Sequence, residues 1–110
     1  MKYGLSEKIL KEIKTLFGKF AEIEEAILYG SRAKGNYKPG SDIDIALKGE
    51  RLHLQLLNTV DRELDELLLP YTFDLSIYDH IRNSDLLAHI ERVGKVFYRK
   101  NSAQQDHNTP

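Results

Sequence analysis

The chain has no cysteine among its 110 residues. Disulfides and thiolate metal sites are therefore excluded, and nothing calls for an oxidising compartment. It also lacks a long hydrophobic run. No stretch approaches the roughly 20 apolar residues of a membrane span. The opening MKYGLSEKILKEIK interleaves charge with apolar residues, unlike a signal peptide. The expectation is a cytoplasmic protein with no membrane attachment. Charge of one sign is missing too: 16 Lys and Arg stand against 17 Asp and Glu, a net charge of -1. That balance argues against a general nucleic-acid binder, and no direct nucleic-acid binding is expected. A local basic cluster remains in Arg32, Lys34 and Lys38. Metal-type histidine spacing is absent as well. His53, His80, His89 and His107 form no pair at i, i+3 or i+4, and His53 and His89 are expected on helix surfaces.

What is present is enough for one compact domain that buries roughly two-thirds of its unfolded surface. The domain is placed at residues 1–100. The polar tail NSAQQDHNTP, residues 101–110, is expected to be disordered. Leu5, Ile9, Ile13, Leu16, Phe17 and Phe20 recur at helical spacing, so residues 6–20 read as an amphipathic helix with Ser6 as N-cap. AILY, residues 26–29, reads as a buried strand stopping at Gly30, and residues 31–35 can make one helical turn. GNYKPG is a loop. Residues 42–47 alternate, with Asp42, Asp44 and Ala46 on one face and Ile43, Ile45 and Leu47 on the other, which predicts a strand. Leu52, Leu56, Val60 and Leu64 predict a helix over 51–69, ended by Pro70. TFDLSIYD alternates again, with Phe73, Leu75 and Ile77 opposite Asp74, Ser76 and Tyr78. A last helix is expected from about Ser84, as its cap, to a stop at Gly94, followed by a short extended end, KVFYRK. The order suggests an α/β (α+β) domain: a sheet of about three strands whose apolar face is covered by helices.

The polar face carries the chemistry. Asp42 and Asp44 are two apart on a strand, so their side chains share one side, with Cα atoms about 6.6–6.8 Å apart. If the Asp74 strand pairs next to theirs, a third carboxylate joins them. Carboxylates this close raise each other's pKa unless they face water, share protons or hold a hard cation. Oxygen-only ligation suits Mg2+. Two ions roughly 3.5–4 Å apart would need bridging carboxylates, which Asp42 and Asp44 can supply. Gly30 lets a phosphate approach the backbone closely. Ser31 offers a hydroxyl and an amide, and a helical turn starting there would add free N–H groups. Arg32 or Lys34 can neutralise remaining phosphate charge. Ser41, at the end of the loop, joins Gly30, Ser31 and Arg32 as a candidate nucleotide contact. Asp79 competes with Asp74 for the third acidic place but lies on the opposite parity. Taken alone, an Asp-x-Asp pair reads equally as the solvated face of an ordinary strand.

In combination these residues carry a resemblance. GSRAKGNYKPGSDIDIAL, residues 30–47, resembles the signature of the polymerase-beta-type nucleotidyltransferase superfamily: Gly-Ser, a loop, Asp-x-Asp on a strand, and an acidic residue on a later strand, here Asp74. GSRAKG and the short chain resemble the minimal nucleotidyltransferase (MNT) proteins. The resemblance implies a polymerase-beta-like fold with a small mixed sheet. It implies Mg2+-dependent transfer of a nucleotidyl group from ATP, with Asp42, Asp44 and Asp74 as metal ligands and Asp74 also accepting a proton. It further implies a HEPN toxin as partner, silenced by AMP placed on a tyrosine hydroxyl. Two other functions remain open on the sequence: neutralisation of the partner by occlusion alone, and transfer to a small molecule. Absence of a second, acceptor-binding domain argues against the last.

Overall fold

In the computed structural model, residues 1–100 are described; the tail expectation for 101–110 falls outside them. Four strands form the sheet: β1 (Glu25–Tyr29), β2 (Ile43–Lys48), β3 (Phe73–Ile77) and β4 (Lys95–Arg99). Four helices accompany them: α1 (Glu7–Phe17), the one-turn α2 (Gly30–Lys34), α3 (Leu54–Glu66) and α4 (Ser84–Val93). The strand order is β3-β2-β1-β4. β1 runs antiparallel to β2 and β4, whereas β2 and β3 are parallel, so the sheet is mixed. A parallel neighbour needs a crossover connection, and α3 supplies it. The extended end KVFYRK is the fourth strand. It pairs with β1 through a register shift between Ala26 and Ile27.

One face of the sheet carries the main core. Leu10, Ile13, Leu16 and Phe17 of α1 and Val60 and Leu64 of α3 pack on Ala26, Leu28, Ile43, Ile45 and Leu47. The opposite face is not left open, as the alternation alone suggested. Ile27, Tyr29 and Ala46 form a second, smaller core with Ile90 of α4, joined by Tyr78, Ile81 and Leu86. The reason lies in β1, where AILY is apolar at every position and therefore has two faces to bury. α4 packs on that face over Ile27 and Tyr29, and the carboxylate row lies next to it.

Local chemistry sets the helix ends. Ser6 caps α1 by accepting the Ile9 amide at 3.2 Å. α3 begins at Leu54 rather than 51, because His53, exposed as expected, stands just before the helix as its cap. His53 Nδ1 accepts the Leu56 amide at 3.3 Å. α4 is capped by Asn83 rather than Ser84, with Asn83 Oδ1 accepting the Asp85 and Leu86 amides at 2.9 and 3.1 Å. Asn and Ser are near-equal caps by propensity, so spacing alone could not choose between neighbours.

Candidate active site

β2 begins at Ile43, and Asp42 is the residue that leads into it. The sheet register sets Tyr29 opposite Asp44 and Asp44 opposite Asp74, in one row across β1, β2 and β3. Adjacent strands lie about 4.8 Å apart. The strand of Asp74 therefore does pair beside that of Asp44, and the third carboxylate joins the first two. Asp44 is half-buried, whereas Asp42 and Asp74 are exposed.

The electrostatics register this crowding. Burial, then the charges of Asp74 and Asp42, push the Asp44 carboxyl up to about 6 from 3.8. Burial also lifts the Tyr29 phenol, with Asp74 and Asp44 adding to the shift and the Ser76 hydroxyl opposing it. A fourth acid flanks the group. Asp61 of α3 is raised by burial and by the charges of Asp65 and Asp74. The helical stripe places Asp61 on the wet side of α3; only the crossover over β3 brings that side near Asp74. Among the described residues the one ion pair is Arg99–Glu25, at 3.0 Å on β4 and β1. The acid group thus has no protein cation paired with it.

Among the described residues no three His, Asp or Glu side chains are grouped tightly enough to hold an ion on their own. The donor chemistry nevertheless fits Mg2+. The acids supply oxygen only and repel one another, and Mg2+ is usually bound by one or two carboxylates plus water and substrate phosphates.

Gly30 closes over this row. Its φ is +75°, and a Cβ at that position would collide with the Asp44 carboxylate. Glycine is thus required twice, by backbone conformation and by space. Gly30→Ala is expected to displace Asp44 and cut any catalysis at this row by about 100-fold, the scale of a misplacement near 1 Å. Steady-state rates on folded protein check this. Ser31 follows at the head of α2, half-buried. The Gly30 amide is already engaged: it donates to His89 Nε2 of α4 at 3.0 Å. His89 is therefore not a helix-surface residue. Its ring also meets Tyr29 edge to face, with centroids 6.1 Å apart. No periodicity in the sequence could reveal this contact, because it joins residues 59 apart.

Arg32 departs from its expected role. It is 2% exposed, the one buried charged residue among those described. Its Nε and Nη2 donate to the Ser41 carbonyl at 3.1 and 2.9 Å, Nη2 to the Pro39 carbonyl at 3.4 Å, and Nη1 to the Tyr3 carbonyl at 2.9 Å. The guanidinium also lies 5.3 Å from the Tyr37 ring centre and 5.0 Å from that of Tyr71. With every nitrogen directed at backbone carbonyls, Arg32 clamps the loop instead of facing a phosphate. Ser41 belongs to the same brace. Its carbonyl receives Arg32, and its Oγ accepts the Lys38 amide at 2.8 Å. The two residues fix the chain immediately before Asp42. Lys34 and Lys38 remain exposed.

Solved structures with this fold include toxin–antitoxin complexes. One, a toxin–antitoxin with AMP-PNP, matches at TM-score 0.68 and 20% identity over 87% of this chain and 77% of that one. A second, from Shewanella oneidensis, contains a tri-AMPylated HEPN toxin in complex with MNT antitoxin. It matches at TM-score 0.65 and 20% identity over 94% of this chain and 78% of that one. A third, the toxin–antitoxin MntA-HepT, matches at TM-score 0.64 and 20% identity over 94% and 78% of the two chains. A comparison with curated proteins found no match. The family model described as polymerase beta, nucleotidyltransferase matches residues 11–103. With that match spanning the sheet, the Gly-Ser turn and all three carboxylates, the chain belongs to the polymerase-beta nucleotidyltransferase family.

Proposed function

We propose that this chain transfers AMP from ATP to a tyrosine hydroxyl of a HEPN toxin and acts as its antitoxin. The observation that carries the reading is the row formed by Asp44 and Asp74 in direct register, with Gly30 fitted against Asp44. Its support from outside the chain is the fold shared with an MNT antitoxin whose HEPN partner carries AMP.

Asp42 and Asp44, with Asp74 beside them, would hold Mg2+, which supplies neutralising charge for the triphosphate. The remaining tasks fall to protein groups. Ser31 donates to the terminal phosphates, and Gly30, having no side chain, lets the Asp44 carboxylate sit close beside that seat. Arg32 and Ser41 hold the loop so that Asp42 does not swing away. The tyrosine oxygen forms a bond to the α phosphorus, the bond from that phosphorus to the bridging oxygen breaks, and pyrophosphate leaves with its electron pair. The phenolic proton passes to Asp74 or to water beside it. A phenol has a pKa near 10, so an acceptor for that proton matters at neutral pH. Catalysis rests on positioning and charge neutralisation.

The test is toxin activity in the purified complex before and after ATP and Mg2+. Loss of RNase activity that depends on ATP, and persists after the chain is stripped from the toxin, supports transfer. Full inhibition before ATP that disappears on separation identifies occlusion instead.

A further inference from the structure

The geometry points to His89 as a positioning residue for the nucleotide seat, acting through the Gly30 amide; this rests on the nucleotide-transfer reading above. His89 lies on α4, 59 residues from Gly30, yet its Nε2 accepts that amide at 3.0 Å. The same ring stands at 79° to the ring of Tyr29, so it is held from two sides. Its neighbour Ile90 anchors α4 in the smaller core against Ile27, Tyr29 and Ala46. The imidazole therefore has little freedom to leave its partner.

The consequence concerns the peptide between Tyr29 and Gly30. Gly30 has a φ of +75° and lies tight against the Asp44 carboxylate. An amide there needs an acceptor. Acceptance at Nε2 requires the neutral ring with its proton on Nδ1. With His89 in place, the amide points to α4 and the Asp44 oxygens stay free for a cation. Without it the amide must find another acceptor, and the Asp44 carboxylate lies beside Gly30; an amide bound there would draw that carboxylate away from its ligand role. The bond to His89 also fixes the Tyr29–Gly30 peptide that leads into Ser31. His89 thus leaves Ser31 to meet phosphate and Asp44 to meet metal, without touching either ligand.

Two variants and two readouts test this. His89→Phe keeps the ring and its contact with Tyr29 but has no acceptor. His89→Gln places an amide oxygen close to where Nε2 stood. ATP–Mg2+ binding is measured by calorimetry, and the Gly30 amide proton is followed by NMR in the same samples, with thermal melts confirming folded protein. The expected result is binding weakened about 3- to 10-fold in His89→Phe, the worth of one hydrogen bond. The Gly30 amide proton should move upfield in that variant, and both values should return in His89→Gln. The role of His89 is overturned if the wild type binds ATP–Mg2+ and His89→Phe binds it equally well. It is also overturned if His89→Gln restores the Gly30 amide signal without restoring binding. A wild type that binds no ATP–Mg2+ overturns the nucleotide reading, and the positioning role with it.

Discussion

Replacing Asp42 and Asp44 together by Asn is expected to lower AMP transfer by at least about 1,000-fold, the scale of several kcal/mol of lost metal-assisted stabilisation. Binding of the partner should persist, because Asn keeps the size of Asp. The same change is expected to make the metal-free chain more stable. Asp44 is held in a site that disfavours its charge, through burial and then through Asp74 and Asp42. After allowance for solvent screening, removing that penalty is worth ~1 kcal/mol, or about 4–8 °C in Tm for a domain of this size. The sign of the pH dependence follows. The folded chain takes up a proton on Asp44 near pH 6, whereas the unfolded chain does so near 3.8. Stability of the metal-free wild type should therefore rise as pH falls from about 7 towards 4, as far as this group contributes. Asp44→Asn should lack that increment. Melting curves with chelator at several pH values measure both effects. A charge that costs stability but supports activity is the expected trade for a functional carboxylate.

Arg32→Ala is expected to be the most damaging single change to the fold. It removes donors from the carbonyls of Tyr3, Pro39 and Ser41 and leaves a hole between the rings of Tyr37 and Tyr71. Unpaired acceptors cost about 1–3 kcal/mol each when fully buried and less when partly wet, as here, so together with the lost packing of the guanidinium a loss of ~3 kcal/mol is expected. That corresponds to roughly 12 °C or more in Tm. Arg32→Lys should rescue little, because one ammonium cannot reproduce a planar fork that reaches several carbonyls at once. If Arg32 instead served mainly as a phosphate contact, Arg32→Lys would melt near the wild type and lose nucleotide affinity only. Urea unfolding of the two variants separates these outcomes.

The contrast between Arg32 and the aspartates shows what a sequence can and cannot disclose. The shared side of Asp42 and Asp44 was legible because strand alternation is local: parity fixes which side chains share a face; Asp74 joins them only through the pairing of β2 with β3, which parity does not give. The main helices and strands β1 to β3 were legible for the same reason, and KVFYRK was read as extended. Its place as a fourth strand depends on pairing with β1, which no local pattern announces. Arg32 looked like a phosphate ligand because it follows Gly-Ser in a basic stretch. Its burial depends on Tyr3 and Tyr71, which only the fold brings to it. His89 and His53 were assigned to helix surfaces, since one histidine on a helix gives no periodic signal. One turned out to accept the Gly30 amide, and the other to cap α3. Asp61 reads as solvated because the sequence does not say which strand its helix crosses.

The proposed function is covalent transfer of AMP to a partner protein. Its most direct test is the intact mass of a HEPN partner co-purified with this chain, recorded before and after incubation with ATP and Mg2+. The expected result is a gain of one or more AMP units on the partner, located on tyrosine, and no gain with the Asp42→Asn, Asp44→Asn double variant. An unchanged mass, in a complex that remains intact and neutralised, would contradict it.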